Sequence, residues 1–130
     1  MILIPAKPIA VADFLAAYAD DPRYELIDGE LRELHPTGPH EEVAGELAAV
    51  IKAEIKRVGF HWTVPKSCLI QPPAAEATVL RPDVIALDRK ALQAEPLWQR
   101  EPILTSGQAI RWIAEVVSTN WQDDYARKID

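Results

Sequence analysis

Two short extended arms, Tyr24-Glu25-Leu26-Ile27 and Glu30-Leu31-Arg32-Glu33-Leu34, meet at Asp28-Gly29, and no other stretch constrains the fold as much. A tight two-residue hairpin needs positive φ at both central positions, and Asp-Gly is a residue pair that tolerates this. The spacing therefore predicts an antiparallel hairpin over Tyr24 to Leu34. Leu31 faces opposite to Glu30 and Arg32, so one side of the second arm is polar.

Before the hairpin, Val11 to Tyr18 has the apolar spacing of a short helix, ended by Asp20-Asp21-Pro22. After it, Pro36-Thr37-Gly38-Pro39 reads as a loop. A long helix follows, because Val43, Leu47, Val50, Ile51 and Val58 form one stripe at helical spacing, and Gly59 is a good stop. Phe60 to Ile70 alternates loosely and is predicted as one strand, with Gln71 to Glu76 as the turn behind it. Val79 to Leu87 reads as a further strand, Asp88 to Gln99 as a short helix and loop, and Ile110 to Val117 as a strand rich in branched residues. From Trp121 a helix is expected. Strands grouped around one long helix suggest an α+β fold with a mixed sheet and helices packed on it.

At 130 residues the chain has the length of one domain, spanning 1–130, with 48% hydrophobic and 26% charged residues, which is globular rather than disordered composition. The sequence stops inside its last helical stretch, so the domain is expected to be cut short at the C-terminus. No apolar run approaches the roughly 20 residues of a membrane span, and MILIPAKPIA is too soon broken by proline for a signal peptide. With its single cysteine, Cys68, the chain is expected in a reducing cytoplasm. The net charge of −6 and the scattered positives, densest at Lys52, Lys56 and Arg57, argue against strong non-specific DNA binding. They do not argue against a catalytic site, because acids that hold cations also make the charge negative. Oligomeric state, a homodimer included, is left open.

Two acids draw attention. Glu115 shares a strand face with Ile113 and Val117. A carboxylate on a core face is costly unless a metal ion or another cation satisfies it. The plainer alternative is a strand-end glutamate in water. Asp83 follows Pro82, which removes a ladder hydrogen bond and marks an edge or a bend. It shares its face with Ile85 and Leu87, so two acids on different strands could meet and bind a divalent cation through oxygen. Taken alone, Pro-Asp is also common in turns. His40 lies at the start of the long helix, where the positive end of the dipole suits a ligand or proton acceptor better than a cation, although a solvated cap residue is the plainer reading. Glu30, on the polar side of the hairpin, could complete the site, with Glu46 as a rival. His35 and His61 have no partner pattern, and the four tryptophans are read as packing residues.

The segment Glu115-Val116-Val117-Ser118-Thr119-Asn120-Trp121-Gln122-Asp123-Asp124-Tyr125-Ala126-Arg127-Lys128 changes the weight of these signals. Together with Tyr24 to Leu31, His40 and Arg81-Pro82-Asp83, it resembles a large bacterial family of restriction endonucleases within the PD-(D/E)XK nuclease superfamily. The resemblance runs from about Val11 to the last residue. It implies a restriction-endonuclease-like mixed sheet and an Mg²⁺- or Mn²⁺-dependent endonuclease acting on DNA. It also implies Asp83 and Glu115 as metal-binding catalytic acids, and Lys128 as the catalytic lysine. The superfamily's usual lysine would stand two residues after the second acid, where this chain has Val117. In the family the lysine has moved to the following helix, a place that Lys128 fits. Asp124 lies one helical turn before Lys128, and the spacing alone would also suit a surface ion pair. Two alternatives stand beside the nuclease: an idle nuclease fold kept as a binding module, and a metal hydrolase of smaller phosphate substrates.

Overall fold

A computed structural model describes residues 7–117. In chain order the elements are α1 (Val11–Tyr18), β1 (Tyr24–Ile27), β2 (Glu30–Glu33), α2 (Gly38–Val58), β3 (Trp62–Thr63) and β4 (Leu69–Ile70), then β5 (Val84–Asp88), α3 (Arg89–Leu92), β6 (Ile103–Leu104) and β7 (Ile110–Ala114). The fold is α+β, as the order of patterns in the sequence suggests.

The hairpin forms as expected. β1 and β2 pair antiparallel from Tyr24↔Glu33 to Ile27↔Glu30. Asp28 and Gly29 take φ of 51° and 79°, the positive values the turn demands. Gly29 is required for a second reason: a Cβ there would come within 2.7 Å of the Pro8 Cβ. The backbone of Ile9 donates to the Gly29 carbonyl at 2.8 Å, holding the N-terminal strap against the turn.

Val79 and Leu80 extend this ribbon. Leu26 and Val79 exchange backbone bonds of 2.9 and 2.8 Å, and Ile70 and Leu80 do the same on the other side. β4 then pairs parallel with β6, through Leu69↔Ile103 and Ile70↔Leu104. A separate antiparallel sheet has the order β3-β5-β7. The chain thus leaves one ribbon after Leu80, turns through Arg81-Pro82-Asp83, and enters the other sheet at Val84. The expected single strand from Val79 to Leu87 is two pieces joined at this corner, because Pro82 cannot donate to a ladder. Phe60 to Ile70 likewise divides into β3 and β4, which belong to different sheets and are separated by Pro65. β6 was not anticipated: its two residues are too few for any periodicity, although both are buried.

Two core clusters flank the β4/β6 pair. Phe14, Leu26, Leu69, Val79 and Ile103 form one, and Cys68, Ile85, Leu87, Leu92, Leu104 and Ala109 the other. A parallel pair covered on both sides is the ordinary state for such strands. α1 is anchored by Phe14, its one fully buried residue, whose burial contributes about 1.5–3 kcal/mol. α2 begins at Gly38, earlier than expected, because Pro39 is compatible with a first helical turn and Thr37 caps it by accepting from the His40 N–H at 3.3 Å. Gly59, at φ 92°, closes it. Its packed side differs from the predicted stripe. Ile55 is its buried residue and contacts run to β5, whereas Val43, Val50 and Val58 stay 46–61% exposed. The apolar residues of α2 cover more of its circumference than the sheet covers, so spacing alone chose the wrong edge of the stripe.

Candidate active site at the Arg81-Pro82-Asp83 corner

The corner is fixed by a buried polar cluster. Glu25 alternates with the core residues of β1 yet is only 2% exposed. Its carboxylate accepts the Arg81 backbone N–H at 3.1 Å. The Arg81 guanidinium then reaches across to Tyr24 O through Nε, and to Tyr18 O and Ala19 O through Nη2, each at 3.2 Å. The Tyr18 and Ala19 carbonyls stand at the end of α1, where intrahelical partners run out, and Tyr18 O also accepts the Asp21 N–H at 3.0 Å; one arginine thus helps to cap the helix and ties it to β1 and the corner. Burial pulls the guanidinium below its ordinary range, while Asp21, Glu25 and Asp20 push it back; an arginine remains charged throughout. Glu25 was not singled out from the sequence. The signal was available, since an acid flanked by Tyr24, Leu26 and Ile27 in a strand needs a buried partner.

Asp83 follows directly and is held at both oxygens. Oδ2 accepts the Val116 N–H at 2.7 Å, and Oδ1 lies 3.2 Å from His40 Nε2. His40 and Asp83 side chains are each 18% exposed. His40 stands in the first turn of α2, and its other ring nitrogen lies 3.2 Å from Glu41 Oε1. The Glu41 contact is the ring's hydrogen bond, and the Asp83 contact is a close approach on the ring's other side. His40 thus stands between Glu41 and Asp83 at the edge of the site.

The β5/β7 register pairs Val84 with Ala114 and Ile85 with Ile113. One step further sets Asp83 opposite Glu115, on the same side of the sheet. Both line one cavity of about 780 Å³, together with His40, Glu41 and Arg81. Glu115 stands one residue beyond β7, not within it. Its own neighbours along the chain are not core residues as expected: Ile113 is 43% and Val117 48% exposed, although Ile85, the β5 partner of Ile113, is buried. Asp83 does share a face with buried Ile85 and Leu87.

Glu30 is exposed on β2 and does not line the cavity; neither does Glu46 on α2. His35 does line it, with Lys66, Arg100 and Glu101. None of these four has a local pattern that marks it, because loops from distant parts of the chain bring them together. Asp124 and Lys128 lie outside the described residues, as does the helix expected from Trp121. Cys68 also borders the cavity, but burial, with Glu95 nearby, pushes its thiol up to about 12, which rules out a ready thiolate nucleophile.

Among the described residues no group of three or more His, Cys, Asp or Glu is arranged as a metal site. The donor set still fits Mg²⁺. This ion keeps several waters and is commonly held by one or two carboxylates plus substrate phosphate. Each carboxylate oxygen has two lone-pair directions, so Asp83 retains acceptor capacity beside its bond from Val116 and its contact with His40. No helix among the described residues is long and apolar enough to cross a membrane.

No curated protein and no solved structure matches the chain. A family model does, over residues 11–130: Uma2, described as "Putative restriction endonuclease", a family of the restriction-endonuclease-like PD-(D/E)XK superfamily. The match takes in the hairpin, His40, the Asp83 corner and Glu115, and the chain belongs to this restriction endonuclease family.

Proposed function

We propose that the protein is a metal-dependent endonuclease hydrolysing phosphodiester bonds in DNA, with Asp83 and Glu115 as ligands of one Mg²⁺ or Mn²⁺. The observation that carries this reading is that both acids, at the ends of neighbouring strands, line the same cavity while Val116 N–H holds Asp83 and His40 stands 3.2 Å from it. Electrostatics points the same way. The cavity wall carries Asp20, Glu41, Asp83, Glu101 and Glu115 against three permanent cations, Lys66, Arg81 and Arg100. A phosphate would be repelled from the acid side unless a divalent cation intervened. Such an ion, when bound, polarises the phosphate and makes a water more acidic.

The chain's own residues supply the rest. Arg81 and Glu25 fix the corner, Val116 N–H orients Asp83 with His40 beside it, and the end of β7 presents Glu115. Lys128 is proposed to stabilise the developing negative charge or orient the attacking water, with Asp124, four residues earlier in the sequence, as a supporting acid. The reading takes residues 1–130 as one nuclease domain, acting in the cytoplasm.

Val117, at the position of the superfamily's usual lysine, favours a second reading, an idle nuclease fold that binds without cutting. The two are separated by incubating single- and double-stranded DNA with the protein in Mg²⁺ and in Mn²⁺. The nuclease reading expects metal-dependent cleavage that Asp83→Ala and Lys128→Ala abolish. Metal binding is lost in the first variant and kept in the second. Binding of DNA with no cleavage under either metal would establish the module instead.

A further inference from the structure

The acid pair is not the only pair of charges that this cavity gathers. β4 and β6 run parallel with Leu69 opposite Ile103. Lys66 and Arg100 lie in the loops that lead into β4 and β6, and because the pair is parallel both loops enter it at the same end. Both line the cavity and both are exposed. Neither makes an ion pair or a side-chain hydrogen bond among the described residues, although Glu101 borders the same space. Arg111, Arg57 and Arg23, by contrast, are each paired with an acid. The Leu69 N–H bond to Pro102 O, at 2.8 Å, locks the two loops together immediately behind the cations.

We propose that Lys66 and Arg100 form a phosphate grip for the DNA backbone, holding a phosphate beside the one addressed by Asp83 and Glu115. The proposal rests on the nuclease reading and adds how the substrate is held. Two cations with no ion pair among the described residues line the same cavity as Asp83 and Glu115, so the cavity offers direct attraction for phosphate beside acids that repel it without a metal. Arginine offers a planar fork for phosphate oxygens and lysine a mobile point charge, a combination suited to a backbone rather than to a base edge. With a net charge of −6, the chain has little general attraction for DNA, so a local grip decides where a strand can lie.

The test compares the wild-type chain with Lys66→Ala/Arg100→Ala and with Lys52→Ala/Lys56→Ala. The second variant removes the same charge from the exposed face of α2, away from the cavity. Binding of a fluorescein-labelled duplex is followed in Ca²⁺ across a salt series, and cleavage kinetics are followed in Mg²⁺. Each lost phosphate contact lowers the slope of log K against log salt by about 0.9, so the grip variant should lose roughly 1.8. Its KM should rise at least tenfold with kcat held within about twofold, as for loss of uniform binding. The α2 variant should match the wild type. Equal slopes and KM in the grip variant and in a cutting wild type would overturn the grip and leave the nuclease reading intact. An equal loss in the α2 variant would overturn it too, by assigning the effect to net charge. A wild type that neither binds nor cuts DNA would overturn both readings.

Discussion

Replacing Arg81 by alanine removes the guanidinium that ends α1 and fixes the corner. Nε serves one carbonyl, and Nη2 is shared between two, so the loss amounts to about two charge-assisted hydrogen bonds. Bonds to charged groups contribute about 1.5–3 kcal/mol each. Arg81 is half-buried, and water can reach part of the vacated space, so the lower end applies and the cost should be about 3 kcal/mol. Against a total stability of about 5–15 kcal/mol for a small domain, this is a large fraction. With a urea m-value of about 2 kcal/mol/M, the midpoint should fall by about 1.5 M. Arg81→Lys can reach only one of the three carbonyls and should recover about a third of the loss. The assay is equilibrium urea unfolding followed by tryptophan fluorescence and far-UV circular dichroism. A midpoint for Arg81→Ala within about 0.3 M of wild type, at unchanged slope, would refute the role given to the cluster.

Three further outcomes are expected. The native Cys68 thiol, raised from 9.0 to about 12, keeps its proton where the unfolded thiol loses it. Its contribution to stability is therefore complete below pH 9 and is lost as pH rises toward about 12, a decline that Cys68→Ala should lessen; a thiol reagent at pH 8 should label Cys68 only after unfolding, and rapid labelling of native protein would contradict its burial. Gly29→Ala places a Cβ against Pro8 at positive φ and should cost at least about 1 kcal/mol in urea unfolding, whereas unchanged stability would mean the strap is not seated on the turn. Asp83→Asn keeps an acceptor for the Val116 N–H and should remain near wild-type stability, while Asp83→Ala orphans that donor and should lose about 1–2 kcal/mol; equal stabilities would discount the bond.

How far the sequence foretold this arrangement depended on the range over which each signal acts. The Asp28-Gly29 hairpin was legible because its turn chemistry is local and restrictive. The helix over Gly38–Val58 was legible because its length averages over many positions, but its buried face was misjudged at Val43, Val50 and Val58, since which side meets the sheet is a tertiary choice. Pro82 correctly announced a bend, yet nothing local could tell that the chain changes sheets there. β6 and the division of Phe60 to Ile70 were missed because two-residue strands are specified by their partners. Asp83, Glu115 and His40 were chosen for chemistry and by family likeness, and the fold places all three around one cavity. Glu30 was chosen for its polar face and is exposed, while Glu25, one strand earlier, takes the buried place. Lys66, Arg100 and His35 sit in loops without periodicity and are found only once three separate loops are brought together.

The claim that Asp83 and Glu115 hold one cation jointly can be tested most directly by Mn²⁺ binding, read as loss of the free-ion electron paramagnetic resonance signal. Wild-type protein should bind one Mn²⁺ per chain. Asp83→Asn and Glu115→Gln should each weaken that binding at least tenfold, and the double variant should lose little more than either single one, because ligands of one ion are coupled. Undiminished binding in Glu115→Gln, or losses that simply add in the double variant, would place the cation elsewhere and contradict the shared site.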